Sequence, residues 1–455
     1  MTQTLSPQRR LMQLAWPAIV ENLSASLVIF IDSAMVGSLG AIATASVAVN
    51  ASPSWLMNGL MMSVGVGGTA LISRAWGAGD TQGARTAAWH TLAAGLTMSL
   101  LLAVAAFLLA PLIPRWMGAD PAIHPDAAAY MRLVAIGALP NYLGATAAAL
   151  LRGIGDTSSP MKASLMSHLV NITGNFLLIF PTRTLSLLGF SFTMPGAGLG
   201  VRGAAMATAF SFLVSGGYLL YRLMHGKQLG LRFRERSVLR TEEFKRLIRI
   251  SVPAALERVS INLGQIVFAG MVIRFGTHAL AAHHLSITIE SLGYMPAYGF
   301  AVAAATLVGQ SLGAKQPDQA RILGLRAIKT GTLVTSTIGI IMFVFADALI
   351  SLFTPDLTVR DIGAGLIRIC AFEQPFSALS IISPGALRGA GDTTAPFIVS
   401  LFSMWGVRIV FAWLLGIQWG LGVQGIWIAM LLDLAVRGCL LLYRFLKGDW
   451  KSRQV

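Results

Sequence analysis

Three stretches constrain the fold of this chain more than anything else in it: Leu14–Leu39, His90–Pro114 and Leu325–Phe353. Each is longer than the roughly 18 residues a helix needs to cross a hydrocarbon core about 30 Å thick. Lipid offers no partner to a backbone N–H or C=O, so such stretches must be helices that satisfy their own hydrogen bonds. Nine further segments read the same way, which predicts twelve spans at 13–38, 45–73, 87–114, 130–151, 162–181, 201–224, 250–274, 280–309, 327–353, 363–387, 395–416 and 424–445. Only 12% of the 455 residues are charged, about half the share of soluble domains. A soluble fold of this length would lack polar surface. The expected class is an all-α integral membrane protein with 12 transmembrane helices.

A formal charge of +15 would, in a soluble protein, point toward nucleic acid. Here the basic residues sit in short loops and read as topology. Of 34 Lys and Arg, 24 fall in the N-terminus, the even-numbered loops and the C-terminus, 7 in the odd-numbered loops, and 3 (Arg258, Arg408 and Arg437) inside spans. That bias places both termini in the cytoplasm, and no nucleic-acid partner is expected. Cys370 and Cys439 lie in apolar runs with no disulfide or metal-ligand spacing, and read as buried fillers. Met1–Arg10 leads into the first apolar run without a small-residue cleavage site, so the first helix is expected to stay uncleaved.

The chain also repeats itself. Leu151-Arg152-Gly153-Ile154-Gly155-Asp156-Thr157 recurs as Leu387-Arg388-Gly389-Ala390-Gly391-Asp392-Thr393, an offset of 236. Pro17 and Glu21 return as Pro253 and Glu257, Gly77-Ala78 as Gly313-Ala314, and Ala84-Arg85 as Ala320-Arg321, at the same offset. Later, Tyr221-Arg222 returns as Tyr443-Arg444 at 222, so the first half carries about 14 extra residues near Pro181–Gly196 in an external loop. Six spans per half is an even number, so the halves are parallel repeats related by an axis along the membrane normal. The chain divides into an N-lobe at 1–224, a basic cytoplasmic linker at 225–249 and a C-lobe at 250–455, with a substrate path expected between the lobes. The repeated motif follows no strand and precedes no Lys-Ser/Thr, so it is not a phosphate loop. A tight turn fits better, with glycines at positive φ and Asp and Thr capping the next helix.

The doubled Leu-Arg-Gly-x-Gly-Asp-Thr after spans four and ten, the first-span string Phe30-Ile31-Asp32-Ser33-Ala34-Met35-Val36-Gly37, and the run from Ala303 to Gly313 together resemble the multidrug and toxic compound extrusion family, including its NorM-type bacterial efflux pumps. The resemblance covers nearly the whole chain. It implies two six-helix lobes that form a V-shaped cleft in a bacterial plasma (inner) membrane. It also implies export of organic, often cationic, compounds in exchange for inward Na⁺ or H⁺. No other cofactor is implied. The expected partners are small organic substrates and the lipid bilayer, with the chain acting as a monomer.

Ionisable groups inside a membrane cost several kcal/mol, so each is a functional candidate. The alternative is a structural ion pair. In the first half Glu21 and Asp32 lie about three turns apart near one face of the first span. No Lys or Arg sits at comparable depth there, so Asp32 must take up a proton or hold a cation. Span five carries His168, Asn171, Thr173 and Asn175, with Asn171 and Asn175 one turn apart. Amide oxygens are hard ligands suited to Na⁺ and amide NH₂ groups can donate to a carboxylate, although helix-packing amides are common. The family places a cation beside the first-span Asp using an Asn and an Asp on span five and a Thr on span six. Asn171 and Thr208 match the first and last of these, which implies a Na⁺ site at Asp32, Asn171 and Thr208. Asn175 stands where the family often has Asp, so one negative charge is missing, which weakens a Na⁺ site and leaves room for protonation of Asp32 alone. His168 is a proton-handling candidate.

The second half buries Glu257, Glu290, Glu373 and Asp433 with Arg258, Arg408 and Arg437. Asp433 and Arg437 are spaced to pair, and Arg408 can neutralise one glutamate, which leaves at least one glutamate free. Glu257, Glu290 and Glu373, with Glu21, remain candidates for binding substrate or cation. The family's span-ten Asp is Ser377 here, with Glu373 one turn earlier. By the repeat, Asp32 corresponds to Phe268 and Asn171 to Val407, so ion coupling is expected in the first lobe, while the second lobe's charges are expected to be largely balanced among themselves. Met57, Met61 and Met62 on span two suit a promiscuous apolar surface or ordinary packing. A lipid-linked precursor flippase of related fold would show more cations lining its cavity. A membrane enzyme would show a clustered nucleophile or metal motif, and none is present, so no enzymatic activity is expected.

Overall fold

A computed structural model describes residues 6–187, 190–226, 228–231 and 241–452. Its helices are α1 (Pro7–Gly37), α2 (Ala41–Ala48), α3 (Ala51–Gly77), α4 (Thr81–Leu109), α5 (Ile113–Trp116), α6 (His124–Gly153), α7 (Ser158–Leu178), α8 (Gly200–His225), α9 (Thr241–Ile273), α10 (Thr277–Gly313), α11 (Pro317–Val344), α12 (Ala346–Ser351), α13 (Leu357–Gly389), α14 (Thr394–Gln418) and α15 (Gly422–Lys447). Among the described residues, 11 helical stretches are long and apolar enough to cross a membrane. The remaining span is α7, 21 residues long, whose apolar character is diluted by Lys162, His168, Asn171 and Asn175. The chain is a multi-pass helical membrane protein.

Local sequence sets the ends of these helices. Pro7 opens α1 behind Ser6, whose side chain accepts from Arg9 N, and Asp80 caps α4 by accepting from Gly83 N at 2.7 Å. Span two is not one helix. It breaks between α2 and α3, where Asn50 Nδ2 donates to Ser46 O and Ala127 O, each at 3.0 Å. A side-chain amide satisfies the backbone that the break exposes. In α14, π-helical winding runs over Ser403–Ile409 and Ala412–Gln418, a local rewinding common at functional positions. The extra residues of the first half form an antiparallel hairpin, β1 (Pro181–Leu187) and β2 (Phe190–Ala197).

The helices pack in two groups, α1–α8 and α9–α15. Within each, small residues let backbones approach closely. A Cβ at Gly216 would meet Pro140 O, and one at Gly389 would meet the backbone of Ala305. Outward faces are apolar and exposed, as lipid contact requires: Leu100, Leu101 and Leu108 on α4 are examples. The groups meet where α1 packs on α10 and α3 packs on α9 and α10. By the repeat α1 corresponds to α9 and α3 to α10, so the first two contacts are equivalents. Hydrogen bonds between the groups run from Gln8–Thr330 at the face that carries most Lys and Arg to Ser26–Met295 deeper in. Among the described residues none joins the groups nearer the opposite face. The two groups therefore form a V closed at the basic face.

Residues 241–249, expected in the linker, form the start of α9, while 232–240 lie outside the described residues. Cys370 is buried as expected, but Cys439 is exposed on α15. The methionines divide: Met61 is buried and Met62 exposed, with Met57 packed between α4 and α6.

Candidate functional site

Asp32 lies near the far end of α1 and faces α7. Asn175 Nδ2 donates to Asp32 Oδ1 at 2.7 Å. With the Asn171 amide turned by half a rotation, its nitrogen donates to Asp32 Oδ1 at 2.7 Å and Oδ2 at 3.2 Å, and its oxygen accepts from Thr208 Oγ1 at 3.2 Å. That orientation is favoured because a carboxylate can only accept. Asp32, Asn171, Asn175 and Thr208 are thus brought together from α1, α7 and α8. Among the described residues no Lys or Arg forms a salt bridge with Asp32. Thr173 points to the opposite, exposed face of α7.

Asn175, standing where the family often has Asp, acts as the expected amide donor to the carboxylate, which an ionised Asp could not do. One detail differs from the expected ligand set: among the described residues the oxygen of this group without a hydrogen-bond partner is Asn175 Oδ1, while Asn171 Oδ1 is engaged by Thr208. The oxygens offered to a cation are therefore those of Asp32, Asn175 and Thr208. Tyr130 of α6 stands close enough to Asp32 to feel its charge. A single Tyr after three alanines gave no periodic signal by which sequence reading would have found it.

Glu21 is not free of bases. Arg152 Nη2 donates to its Oε1 at 2.5 Å. The second lobe repeats this: Arg388 Nη2 donates to Glu257 Oε2 at 2.6 Å, and Ser400 Oγ to Glu257 Oε1 at 2.9 Å. Each motif Asp also reaches the last span of its lobe, Asp156 to Arg222 at 3.4 Å and Asp392 to Arg444 at 3.2 Å. The motif turns form as expected, with Gly155 at φ 95° and Gly391 at φ 82°. The caps come from Asp156 and Asp392, accepting from Ser159 N at 2.9 Å and Ala395 N at 3.2 Å, and not from Thr157 or Thr393. Two of the candidate glutamates, Glu21 and Glu257, thus form equivalent ion pairs within their lobes. His168 lies on the α7 face of Asn171, its Nε2 2.9 Å from Ser164 Oγ, with Glu21 as its charged neighbour.

In the second lobe Asp433 and Arg437 pair at 2.7 Å as expected. Arg408 does not neutralise a glutamate. Its Nε donates to Asp433 Oδ2 at 2.7 Å, its guanidinium lies 5.3 Å from the Phe268 ring centre, and Ser403 Oγ donates to Asp433 Oδ1. One acid thus holds two bases. Glu290 of α10 and Glu373 of α13 are left within hydrogen-bond reach of each other, both buried. Among the described residues, neither oxygen of Glu373 receives an N–H or O–H. Two carboxyls in contact without another donor share a proton or hold a cation. The second lobe's charges are not balanced among themselves. At the positions that correspond to Asp32, Asn171, Asn175 and Thr208 this lobe has Phe268, Val407, Phe411 and Met430, so it contains no copy of the first-lobe site.

The sequence profile of the MatE family matches residues 17–177 and 253–414. A probable multidrug resistance protein NorM from Thermotoga maritima is 31% identical over 98% of this chain and 94% of that relative. A second, from Deinococcus radiodurans, is 27% identical over 97% and 96%. Among solved structures, a MOP superfamily transporter from Pyrococcus furiosus superposes with a TM-score of 0.88 at 22% identity, covering 98% of this chain and 97% of that one. An outward-facing multidrug resistance MATE family transporter gives 0.85 at 23% identity, covering 97% and 95%.

Proposed function

The chain belongs to the MatE family, and from that premise we propose that it is a secondary-active antiporter exporting amphipathic, cationic organic compounds in exchange for inward H⁺ or Na⁺. Its basic face is cytoplasmic, both termini included, in a bacterial plasma membrane. Residues 1–224 and 250–455 act as N-lobe and C-lobe, joined by the basic linker 225–249. The multidrug resistance names of the relatives support the substrate class, and the Lys and Arg bias supports the orientation. Lipid and small organic compounds are the partners, no cofactor takes part, and the chain works as a monomer.

The observation that carries the coupling is Asp32: a carboxyl in a membrane helix, held by amides and without a basic partner among the described residues. Such a group must bind a proton or a cation before the site can face apolar surroundings. Asn175 favours the proton. Its N–H already occupies Asp32 Oδ1, where a second carboxylate would instead call for Na⁺. The spare Asn175 Oδ1 and the Thr208 hydroxyl support the sodium reading. Loading of Asp32 changes the packing of α1 on α7 and lowers the affinity for a cationic compound in the outward-open cleft, which is then released. An ion drives this only by favouring one conformation over the other. Glu290 and Glu373 form a second acidic centre on the C-lobe side that holds the organic cation or a proton.

The test is efflux of a fluorescent organic cation in everted vesicles under an imposed pH gradient, compared with an imposed Na⁺ gradient. Exchange driven by either supports antiport. Equal efflux with neither gradient would refute it.

A further inference from the structure

Arg74 and Gln310 correspond at the 236-residue offset, as do Ser73 and Gly309 and Gly153 and Gly389. Arg74 stands in the last turn of α3 and Gln310 in the last turn of α10. Each reaches across to the Leu-Arg-Gly-x-Gly-Asp-Thr turn of the other lobe. Gln310 Nε2 donates to Gly153 O at 3.0 Å, and Arg74 Nη2 to Ala390 O at 3.5 Å. One turn before Gln310, Thr306 Oγ1 donates to Arg152 O at 2.9 Å. Gln310 is itself held, since Arg10 Nη2 donates to its Oε1 at 3.2 Å. The helices that carry these hooks cross in direct contact. A Cβ at Gly77 would meet the backbone of Gln310, and one at Gly313 the backbone of Arg74.

The two hooks are unequal. Thr306 corresponds to Ala70, which has no hydroxyl, so the turn at Gly153 receives two well-placed bonds and the turn at Ala390 one long one. Arg152 is the junction. Its carbonyl is held by Thr306 of the C-lobe, while its guanidinium is held by Glu21 of α1. Glu21 lies about three turns from Asp32 on one continuous helix.

We propose that the two motif turns are the docking points of a gate at the basic face, that Gln310 and Thr306 are its latch, and that the Glu21–Arg152 pair ties the latch to α1. Opening this face to admit substrate requires Gln310 and Thr306 to leave the Gly153 and Arg152 carbonyls. A movement of α1 that displaces Glu21 pulls on Arg152 and loosens the same bonds. The gate rests on the antiport reading above, in which the cleft opens to one face and then the other, but it can be tested without a gradient or a substrate.

The experiment places spin labels at the exposed Gln82→Cys and Gln319→Cys, at the starts of α4 and α11 on the basic face. It uses the full chain with Cys439→Ser in lipid nanodiscs, and reads the label distance by pulsed electron resonance. Each lost hydrogen bond should raise the open population about fivefold, so Gln310→Ala with Thr306→Val should raise the long-distance population on the order of 25-fold. An unchanged distribution in a monodisperse protein with parental melting temperature overturns the latch. If that double variant does not fold, Thr306→Val alone, with an expected shift of about fivefold, takes its place under the same criterion. Glu21→Gln should shift the distribution the same way. If it does not while the latch variants do, the latch stands and its tie to α1 is overturned. Failure of antiport with an intact latch response would count against the coupling at Asp32 alone.

Discussion

Arg388 holds Glu257 at 2.6 Å, and the two residues are 131 positions apart, the same separation that joins Arg152 to Glu21 at 2.5 Å. The repeat has thus preserved a bond as well as a pattern. The pairs differ in burial: Glu257 is 4% exposed and Glu21 20%. Removing one partner of a buried pair leaves an uncompensated charge and costs about 3–5 kcal/mol, while a partly solvated pair costs far less. Arg388→Ala should therefore lower the melting temperature in detergent much more than Arg152→Ala. Equal losses, or the reverse order, would show that burial does not rank these braces.

Asn175→Asp should convert the coupling site. Two carboxylates would then face each other where an amide now donates at 2.7 Å. That arrangement needs a cation to be stable. Melting temperature measured against added NaCl, with KCl as control, should become selectively dependent on Na⁺. A variant that remains indifferent to Na⁺ contradicts the geometry assigned to Asp32.

Glu373→Gln supplies Glu290 with an amide donor in place of a second acid. The fold should be retained, with a gain of about 1 kcal/mol, whereas Glu373→Ala should lose stability by opening a cavity and leaving Glu290 alone. Export of an organic cation should fall at least several-fold in both, measured by dye efflux from cells. Wild-type export by both variants would remove the pair from the transport cycle.

Deleting residues 182–195 removes most of the β1–β2 hairpin. The second lobe joins the corresponding helices through a short loop after Gln418, and the hairpin carries none of the site residues. Efflux should stay within about twofold of the parent. A larger loss would give the hairpin a role in transport.

Much of the architecture was legible because apolar length and a fixed repeat offset are written directly in the residues. Asp32, Asn171, Asn175 and Thr208 were legible as a group because helical spacing and the family resemblance both point to them. What escaped was partnership between residues far apart in the chain. Nothing in the local sequence of Arg408 says that it bonds to Asp433 and not to a glutamate, and the π-helical winding of α14 that positions it has no sequence signature. The braces of Glu21 and Glu257 were hidden because Arg152 and Arg388 read as loop residues, although their long side chains reach back into the bundle. The donor role of Asn175 was open in the sequence, since an amide offers both a nitrogen and an oxygen, and only what faces it decides between them.

The central claim is that Asp32 carries the coupling ion, and one measurement bears on it most directly: exchange of an organic cation against a pH or Na⁺ gradient in proteoliposomes containing Asp32→Asn. An amide neither ionises nor takes up a proton. The predicted result is a folded protein that still binds the compound but has lost gradient-driven exchange. Exchange at the wild-type rate would contradict the account.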